Sequence, residues 1–448
     1  MSELPRVVTS VPGPRSRALC ERLSRVECPA FDARRSERAK SSGASQEGIV
    51  YAEGRGSNVV DVDGNRYVDL VAGFGALVLG HGPHAASLAA AAQAERLTLA
   101  LGDVYASEAK VALSEEIVAV YLAELRAAGH APSGARVLLG TSGADAVTAA
   151  LKTALLATGR PRVVAFEGAY HGLSHGPLAA CGFSPAFRQP FAAHLGVPVV
   201  FAPYPDATGE ASVADDALAI VRRELAEGDV GAVLVEPILG RGGCVVPPAG
   251  FLRALSAATR EGGALLVADE VWTGWGRAGA MLASADAGPD LVCLGKALGA
   301  GLAVSACVGR DDVMAAWGEH GGATLHTGTH FASPPACAAA LACLTEMRDR
   351  DLVARGRALG ERFRAALVEA CPELTVTGQG MLVGVRLPDR GAALRVSRSL
   401  LERGFITLTG GTDGRALTLS PALDIDEPVL MALVPALRDV MREVGASS

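Results

Sequence analysis

No apolar run in this sequence reaches the roughly 18 residues that a membrane-spanning helix needs. The opening MSELPRVVTSVPGPRSRALCERL also lacks an apolar stretch of signal-peptide length. A membrane is therefore not an expected partner, and a cytoplasmic location is the expectation. No block of lysine or arginine rises above the background and the formal net charge is -7, so nucleic acid is not an expected partner either. Nine cysteines, an odd number with no C-x-x-C pair, argue against a disulfide framework and point to buried thiols in a reducing compartment. No metal is expected. No internal repeat or low-complexity tract stands out beyond an excess of alanine.

What is present suits a large folded protein: 448 residues, half of them hydrophobic, are enough for a substantial core and two domains. The first fifty residues are polar, rich in Pro, Arg and Ser, with an amphipathic helix candidate around 15–26, and read as an arm. Between 49 and 70 two short alternating stretches flank DVDGN, a hairpin turn in which Gly64 supplies a positive φ, so a small edge sheet is expected. From 136 to 309 seven apolar runs, RVLLG, RVVAF, PVVFA, AVLVEP, ALLVADE, LVCLG and SACVG, are separated by helical segments. Runs apolar on both faces imply a parallel or mostly parallel sheet covered by helices on both sides. After Pro335 the chain turns helical, then gives strands at LTVTGQGMLVGVRLP and ALTLSPALDI, which implies a separate α+β domain. The fold class is α/β.

Two residues at strand ends carry the chemistry. Lys296 follows the run Leu291–Leu294, and Asp269 closes ALLVAD. A lysine and an acid at the mouths of two buried strands can serve opposite ends of one flat cofactor, pyridoxal phosphate, whose aldehyde condenses with an amine and whose ring nitrogen needs an acidic partner. An ammonium in an apolar pocket tends to lose its proton, which makes it a nucleophile. A surface lysine and an ordinary salt bridge are the plainer readings of the pair. Glycines 295, 299 and 301 favour a tight turn over a solvated helix. In GTSGADAVTAALKTALLATG a strand turns through Thr141, Ser142 and Gly143 into a helix ending near Gly159. Such a helix start can receive a phosphate on its free N–H groups, or be a simple N-cap. Tyr170 in FEGAYHG, with His171 beside it, can stack on a pyridine face or be core packing.

Over nearly the whole chain from about Pro12 the sequence resembles the class III (ω-type) aminotransferases of fold-type I pyridoxal-phosphate enzymes. The segments that carry the resemblance are AEGRGSNVVDVDGNRYVDLVAGFGALVLGHGPH, TSGADAVTAALK, GAYHG, VEPILGRGGCVVPP, DEVWTGWGRAG, LGKALGAGLAVSACVGR and HTGTHFASPPACAAAL. The resemblance implies that Lys296 is the Schiff-base lysine, Asp269 the partner of the pyridine nitrogen, Ser142, Gly143 and Ala144 the phosphate cradle, and Tyr170 the stacking aromatic. It further implies that Thr329 reaches the cofactor phosphate of a second copy in a homodimer. The expected architecture is an N-terminal arm and small-domain segment over 1–65, a large cofactor domain with a seven-stranded sheet over 66–335 and a C-terminal small domain over 336–448.

Departures from the family pattern bear on the substrate. Leu173 stands where relatives acting on 4-aminobutyrate or N-acetylornithine usually carry an arginine for a substrate carboxylate, and Thr418 aligns with another usual arginine, the one that pairs with a 2-oxo acid and neutralises Glu236. Burying Glu236 alone would be costly, so another cation is expected near it, with Arg415 the candidate. Trp272 replaces a glutamine that touches the cofactor, and with Trp275 suggests a donor bulkier or less acidic than 4-aminobutyrate. Ala332 and Ser333 also depart from the usual pair after the threonine.

The activity implied is transfer of an amino group from a primary amine or ω-amino compound to a 2-oxo acid, pyruvate or 2-oxoglutarate, in ping-pong fashion. Racemisation and an intramolecular amino shift use the same fold and lysine. A nucleotide-binding α/β protein is a rival of another class, but we read neither a G-x-G-x-x-G dinucleotide fingerprint nor a P-loop. A non-catalytic relative would have no use for Lys296.

Overall fold

A computed structural model of the chain describes residues 2–82 and 84–446; Pro83, within the first segment quoted above, lies outside them. The chain divides into two compact units, Met1–His84 with Arg355–Ser448, and Ala85–Ala354.

The first unit opens with helices Pro14–Ser24 and Ala30–Ser42. Proline suits the first helical position because its missing N–H would find no partner there anyway. Strands β1 (Tyr51–Arg55), β2 (Asn58–Asp61) and β3 (Arg66–Asp69) follow. The β2–β3 hairpin forms on the DVDGN sequence, with Gly64 at φ 87° and its N–H donating to the Asp61 carbonyl at 3.0 Å. The N-terminal stretch is laced to this hairpin rather than projecting as an arm: Asn65 Oδ1 accepts from Val8 N at 2.8 Å and Thr9 N at 2.9 Å.

The second unit holds β4 (Ala135–Gly140), β5 (Arg162–Phe166), β6 (Val199–Ala202), β7 (Val230–Val235), β8 (Leu265–Asp269), β9 (Leu291–Leu294) and β10 (Ser305–Arg310) in one sheet of order β4-β10-β9-β8-β7-β5-β6. These are the seven runs read from the sequence. The period-two alternation of a strand divides their side chains between two faces. Val164, Phe166, Val233, Val235 and Leu266 pack with Leu218, Val221, Phe251 and Leu255 of helices Ser212–Ala226 and Phe251–Glu261. Val163, Ala165, Ala232, Leu234 and Val267 pack with Ala146, Val147 and Ala150 of helix Gly143–Thr158. Burial on both faces is why β5, β7 and β8 are apolar along their length, with the polar residues Arg162 and Asp269 only at strand ends.

Direction within the sheet places the chemistry. β5 to β9 are joined through parallel pairs, and β10 is antiparallel to both β9 and β4, so β4 runs the same way as β9. The segments leaving the C-terminal ends of β4, β5, β7, β8 and β9 therefore emerge along one edge. They carry Ser142, Tyr170 and His171, Glu236, Asp269 and Lys296. Ligands of open α/β sheets bind at this edge. One G-x-G-x-x-G spacing does occur, at Gly274–Gly279, contrary to the expectation. It folds as turns closed by Trp275 N to Met281 O (2.8 Å) and Gly276 N to Ala280 O (3.1 Å), with no helix opening from it, and so is no dinucleotide fingerprint.

The chain then returns to the first unit, where β11 (Thr375–Gln379), β12 (Leu382–Arg386), β13 (Phe405–Ile406), β14 (Leu408–Gly410) and β15 (Ala416–Leu419) complete it. Four of them form a sheet of order β11-β12-β15-β14, while β13 pairs in parallel with β3. That pairing holds residues 66–84 with the C-terminal segment, and helix Pro334–Asp349 packs against Ala85–Arg96 and Glu108–Ala127. The unit boundaries consequently fall at 84/85 and 354/355 rather than at 65/66 and 335/336. None of the nine cysteines is in a disulfide and seven are buried; Cys20 is half-buried and Cys28 exposed, unlike the buried thiols expected. No helix among the described residues is long and apolar enough to cross a membrane.

Candidate active site

Lys296 sits two residues beyond the end of β9, after Gly295, in a left-handed backbone conformation at φ 37°. That conformation costs a non-glycine residue on the order of 1–2 kcal/mol and persists where neighbours over-determine it. Here the turn is fixed by Leu298 N donating to Gly295 O at 2.8 Å, and a Cβ on Gly299 would press Val304 Cγ1 at 3.0 Å. The ammonium lies 4.3 Å from the centre of the Trp272 ring. Burial pushes its pKa down to about 8; Asp269 and Glu236 oppose the shift and Arg241 adds to it.

Asp269 ends the neighbouring strand β8, its backbone opposite Cys293 of β9. It is 4 % exposed, and both carboxylate oxygens are held. Oδ2 lies 2.7 Å from His171 Nδ1, and Oδ1 accepts from Val271 N at 3.1 Å. His171 Nε2 is buried without a partner among the described residues. The histidine thus stands behind the carboxylate and fixes its orientation.

Glu236, just past β7, joins two loops. Its Oε1 accepts from Tyr170 N at 2.6 Å and its Oε2 from Gly240 N at 3.1 Å. Burial, with Asp269 nearby, raises its pKa well above the usual carboxylate range, while His171 and the two amides oppose the rise. Inside its own unit Glu236 is therefore accommodated by backbone donors and a readier proton. Arg415, the cation expected for it, belongs to the first unit, where its Nε pairs with Asp413 Oδ2 at 2.5 Å. Thr418 is buried in β15, opposite Gly384 and Leu408.

The helix Gly143–Thr158 begins with a capping box. Ser142 Oγ accepts from Asp145 N at 3.2 Å, and Asp145 Oδ2 accepts from Ser142 N at 2.9 Å. Ser142 is exposed and committed to this cap, whereas Gly143 and Ala144, the first two helical residues, line the cavity. Their N–H groups have no intrahelical acceptor by position, so they are donors available to an anion bound there.

One cavity of about 280 Å³ gathers Gly143, Ala144, Tyr170, His171, Leu173, Glu236, Asp269, Trp272 and Lys296. Leu173 is half exposed within this lining. Thr329 is exposed and does not line the cavity of its own chain, and Trp275 is buried away from it. Sequence reasoning missed Gly172, Val271 and above all Arg241, although VEPILGRGGCVVPP displays that arginine between two glycines.

Solved structures show what class of protein this edge belongs to. An amine transaminase from an uncultivated Pseudomonas species, in its PLP-bound form, is 25% identical and superposes with a TM-score of 0.81 over 89% of this chain and 96% of the other. The ornithine aminotransferase of Toxoplasma gondii is 28% identical, with a TM-score of 0.74 over 89% of this chain and 92% of the other. The fold is that of the fold-type I PLP transferases. The family model for class III aminotransferases matches residues 40–441, and the chain belongs to that family. Its relatives include the acetylornithine aminotransferase of Mycobacterium tuberculosis, 38% identical over 89% of this chain and 93% of that one. The 4-aminobutyrate aminotransferase of the same organism is 33% identical over 95% of both chains. The protein is thus a transaminase, and its cofactor is pyridoxal 5'-phosphate.

The residues present fit that group. An amine with lowered basicity, a buried carboxylate fixed by a histidine, an aromatic ring and the first two residues of a helix, whose N–H groups have no intrahelical acceptor, line one cavity. The indole Nε1 of Trp272 is buried without a partner among the described residues, so a donor is available where the family's glutamine would stand.

Proposed function

We propose that the protein moves an amino group from a primary amine or ω-amino compound to a 2-oxo acid, pyruvate or 2-oxoglutarate, by a ping-pong mechanism. The observation that carries this reading is the opening of Lys296 and Asp269, at the ends of adjacent strands β9 and β8, into one cavity. When bound, the cofactor supplies an electron sink for the negative charge left at a carbon that loses its proton. Lys296 would hold the cofactor through its aldehyde, and its Nζ could take up the proton of the amine-bearing carbon, a role its lowered basicity suits. Asp269, braced by His171, keeps the ring nitrogen protonated. Gly143 and Ala144 hold the phosphate, with Ser142 as the cap of their helix, and Tyr170 covers the ring. The test is a half-reaction: purified holoenzyme given an amine and no 2-oxo acid loses its visible absorbance, and a 2-oxo acid then restores it. A racemase would leave total amine and cofactor unchanged, which would remove this reading.

The working form in this proposal is a homodimer. Leu97, Leu99, Leu101, Val104 and Tyr105 expose between 39 % and 70 % of their surface in one short segment, an apolar concentration that a lone chain in water would not favour. This segment touches the stretch that carries Thr329. Thr327 Oγ1 donates to Asp103 Oδ2 at 3.1 Å, and a Cβ on Gly102 would lie 3.0 Å from the Phe331 carbonyl oxygen. A second copy covering the segment would bring Thr329 toward its own cofactor phosphate. Sedimentation at micromolar concentration should give twice the chain mass; a single species of one chain would refute the arrangement.

A further inference from the structure

The loop that follows β7 turns tightly at Gly240, whose carbonyl accepts from Gly243 N at 3.3 Å and Cys244 N at 3.2 Å. It is pinned on both sides of Arg241. A Cβ on Gly240 would lie 2.6 Å from the Trp272 ring, and one on Gly242 would lie 2.9 Å from the Gly168 carbonyl oxygen. Glu236 Oε2 also accepts from Gly240 N, so the backbone that carries Arg241 is held by the same carboxylate that holds the Tyr170 loop.

The guanidinium is half-buried and lies over aromatic rings, 4.4 Å from the centre of Tyr170, 5.1 Å from Phe183 and 5.6 Å from Phe187. Those rings brace one another, Phe183 edge-on to Tyr170 at 6.3 Å and stacked on Phe187 at 5.5 Å. Aromatic faces orient a guanidinium through its plane and leave its N–H edge unused. No carboxylate or carbonyl among the described residues receives that edge. Arg241 shares the cavity with Lys296 and Leu173. It is close enough to Lys296 to help depress the basicity of the ammonium.

We propose that Arg241 is the receptor for a substrate carboxylate, supplying from the β7 loop the cation that Leu173 and Thr418 do not provide. The substrates it selects are amines and 2-oxo acids that carry a carboxylate, and the inference rests on the transaminase reading above. A planar fork with five donors, oriented in advance by aromatic rings, binds a carboxylate through two parallel hydrogen bonds. Each charge-assisted bond exchanged against water still leaves a net gain. The donor is then chosen by where its carboxylate lies relative to its amine rather than by bulk at the tryptophans.

The experiment compares holoenzyme with Arg241→Gln and Arg241→Lys on matched pairs, 4-aminobutyrate against n-butylamine and pyruvate against acetaldehyde, each half-reaction followed by cofactor absorbance. In Arg241→Gln the KM for the carboxylates should rise by about 10- to 100-fold, with n-butylamine and acetaldehyde little changed. Arg241→Lys should recover part of the loss, because it keeps the charge without the fork. Propionate, which cannot react, should compete with 4-aminobutyrate in the native enzyme and not in Arg241→Gln. Equal losses on both members of a pair, unchanged KM for the carboxylates, or weakened cofactor binding would each overturn the assignment. A native holoenzyme that holds cofactor yet converts no amine would instead bring down the transaminase reading, and this proposal with it.

Discussion

Lys296→Ala should lower turnover by about 10²–10⁴-fold or more, since in the proposed mechanism one group serves as covalent tether and as proton carrier. It should also leave no covalently retained cofactor after borohydride reduction and dialysis, whereas the native protein keeps the reduced adduct. An adduct that survives in the variant would place the Schiff base on another lysine. The lowered basicity of Lys296 adds a pH signature in the native chain. The free amine is the nucleophile, and the ammonium is disfavoured by burial near Trp272 and Arg241, against the pull of Asp269 and Glu236. Cofactor capture by the apoenzyme should therefore climb with pH up to about 8 and level off above it. An ordinary solvated lysine would instead keep climbing to about pH 10.4. The rate of appearance of visible absorbance on reconstitution distinguishes the two.

Asp269→Asn should preserve the shape of the site and remove its charge. The amide can still meet His171 and the Val271 N–H, so the fold around β8 has little reason to change. Without the carboxylate the ring nitrogen is harder to protonate, and the electron sink weakens just where charge develops. A loss on the order of 10²–10³-fold in turnover is expected, comparable to removing one preorganised electrostatic partner of a reacting group. Cofactor absorbance should persist, because Lys296 is untouched. Near-native turnover in the variant would refute the proposed pairing of Asp269 with the ring nitrogen.

Much of the fold is legible because buried strands advertise themselves. β4 to β10 are short apolar runs between helical segments, and an edge strand with one wet face would have been harder to see. The hairpin at DVDGN was equally plain, since Gly64 is where a positive φ is needed. The unit boundaries were less so. The two-residue pairing of β13 with β3 joins segments more than 300 residues apart, and such pairings leave no local trace. The support around Glu236 was not legible either. Two backbone amides of its own unit meet the carboxylate, and amide directions are set by loop geometry that residue names do not encode.

By itself the sequence carried the family and its cofactor, and with them the proposed chemistry of the reacting centre. A lysine and an aspartate each closing an apolar run, with a glycine-led helix start upstream, follow from the identity and order of residues, which no packing detail can alter. What only the tertiary structure decided is the polarity of the cavity wall. Arg241 is an unremarkable charge in a glycine-rich loop until β7 is placed beside β5 and β8. Its guanidinium then lies on Tyr170, and among the described residues no carboxylate or carbonyl takes its N–H edge. Side chains distant in sequence converge only once the strand order is fixed, and it is that convergence to which the proposal assigns the choice of substrate.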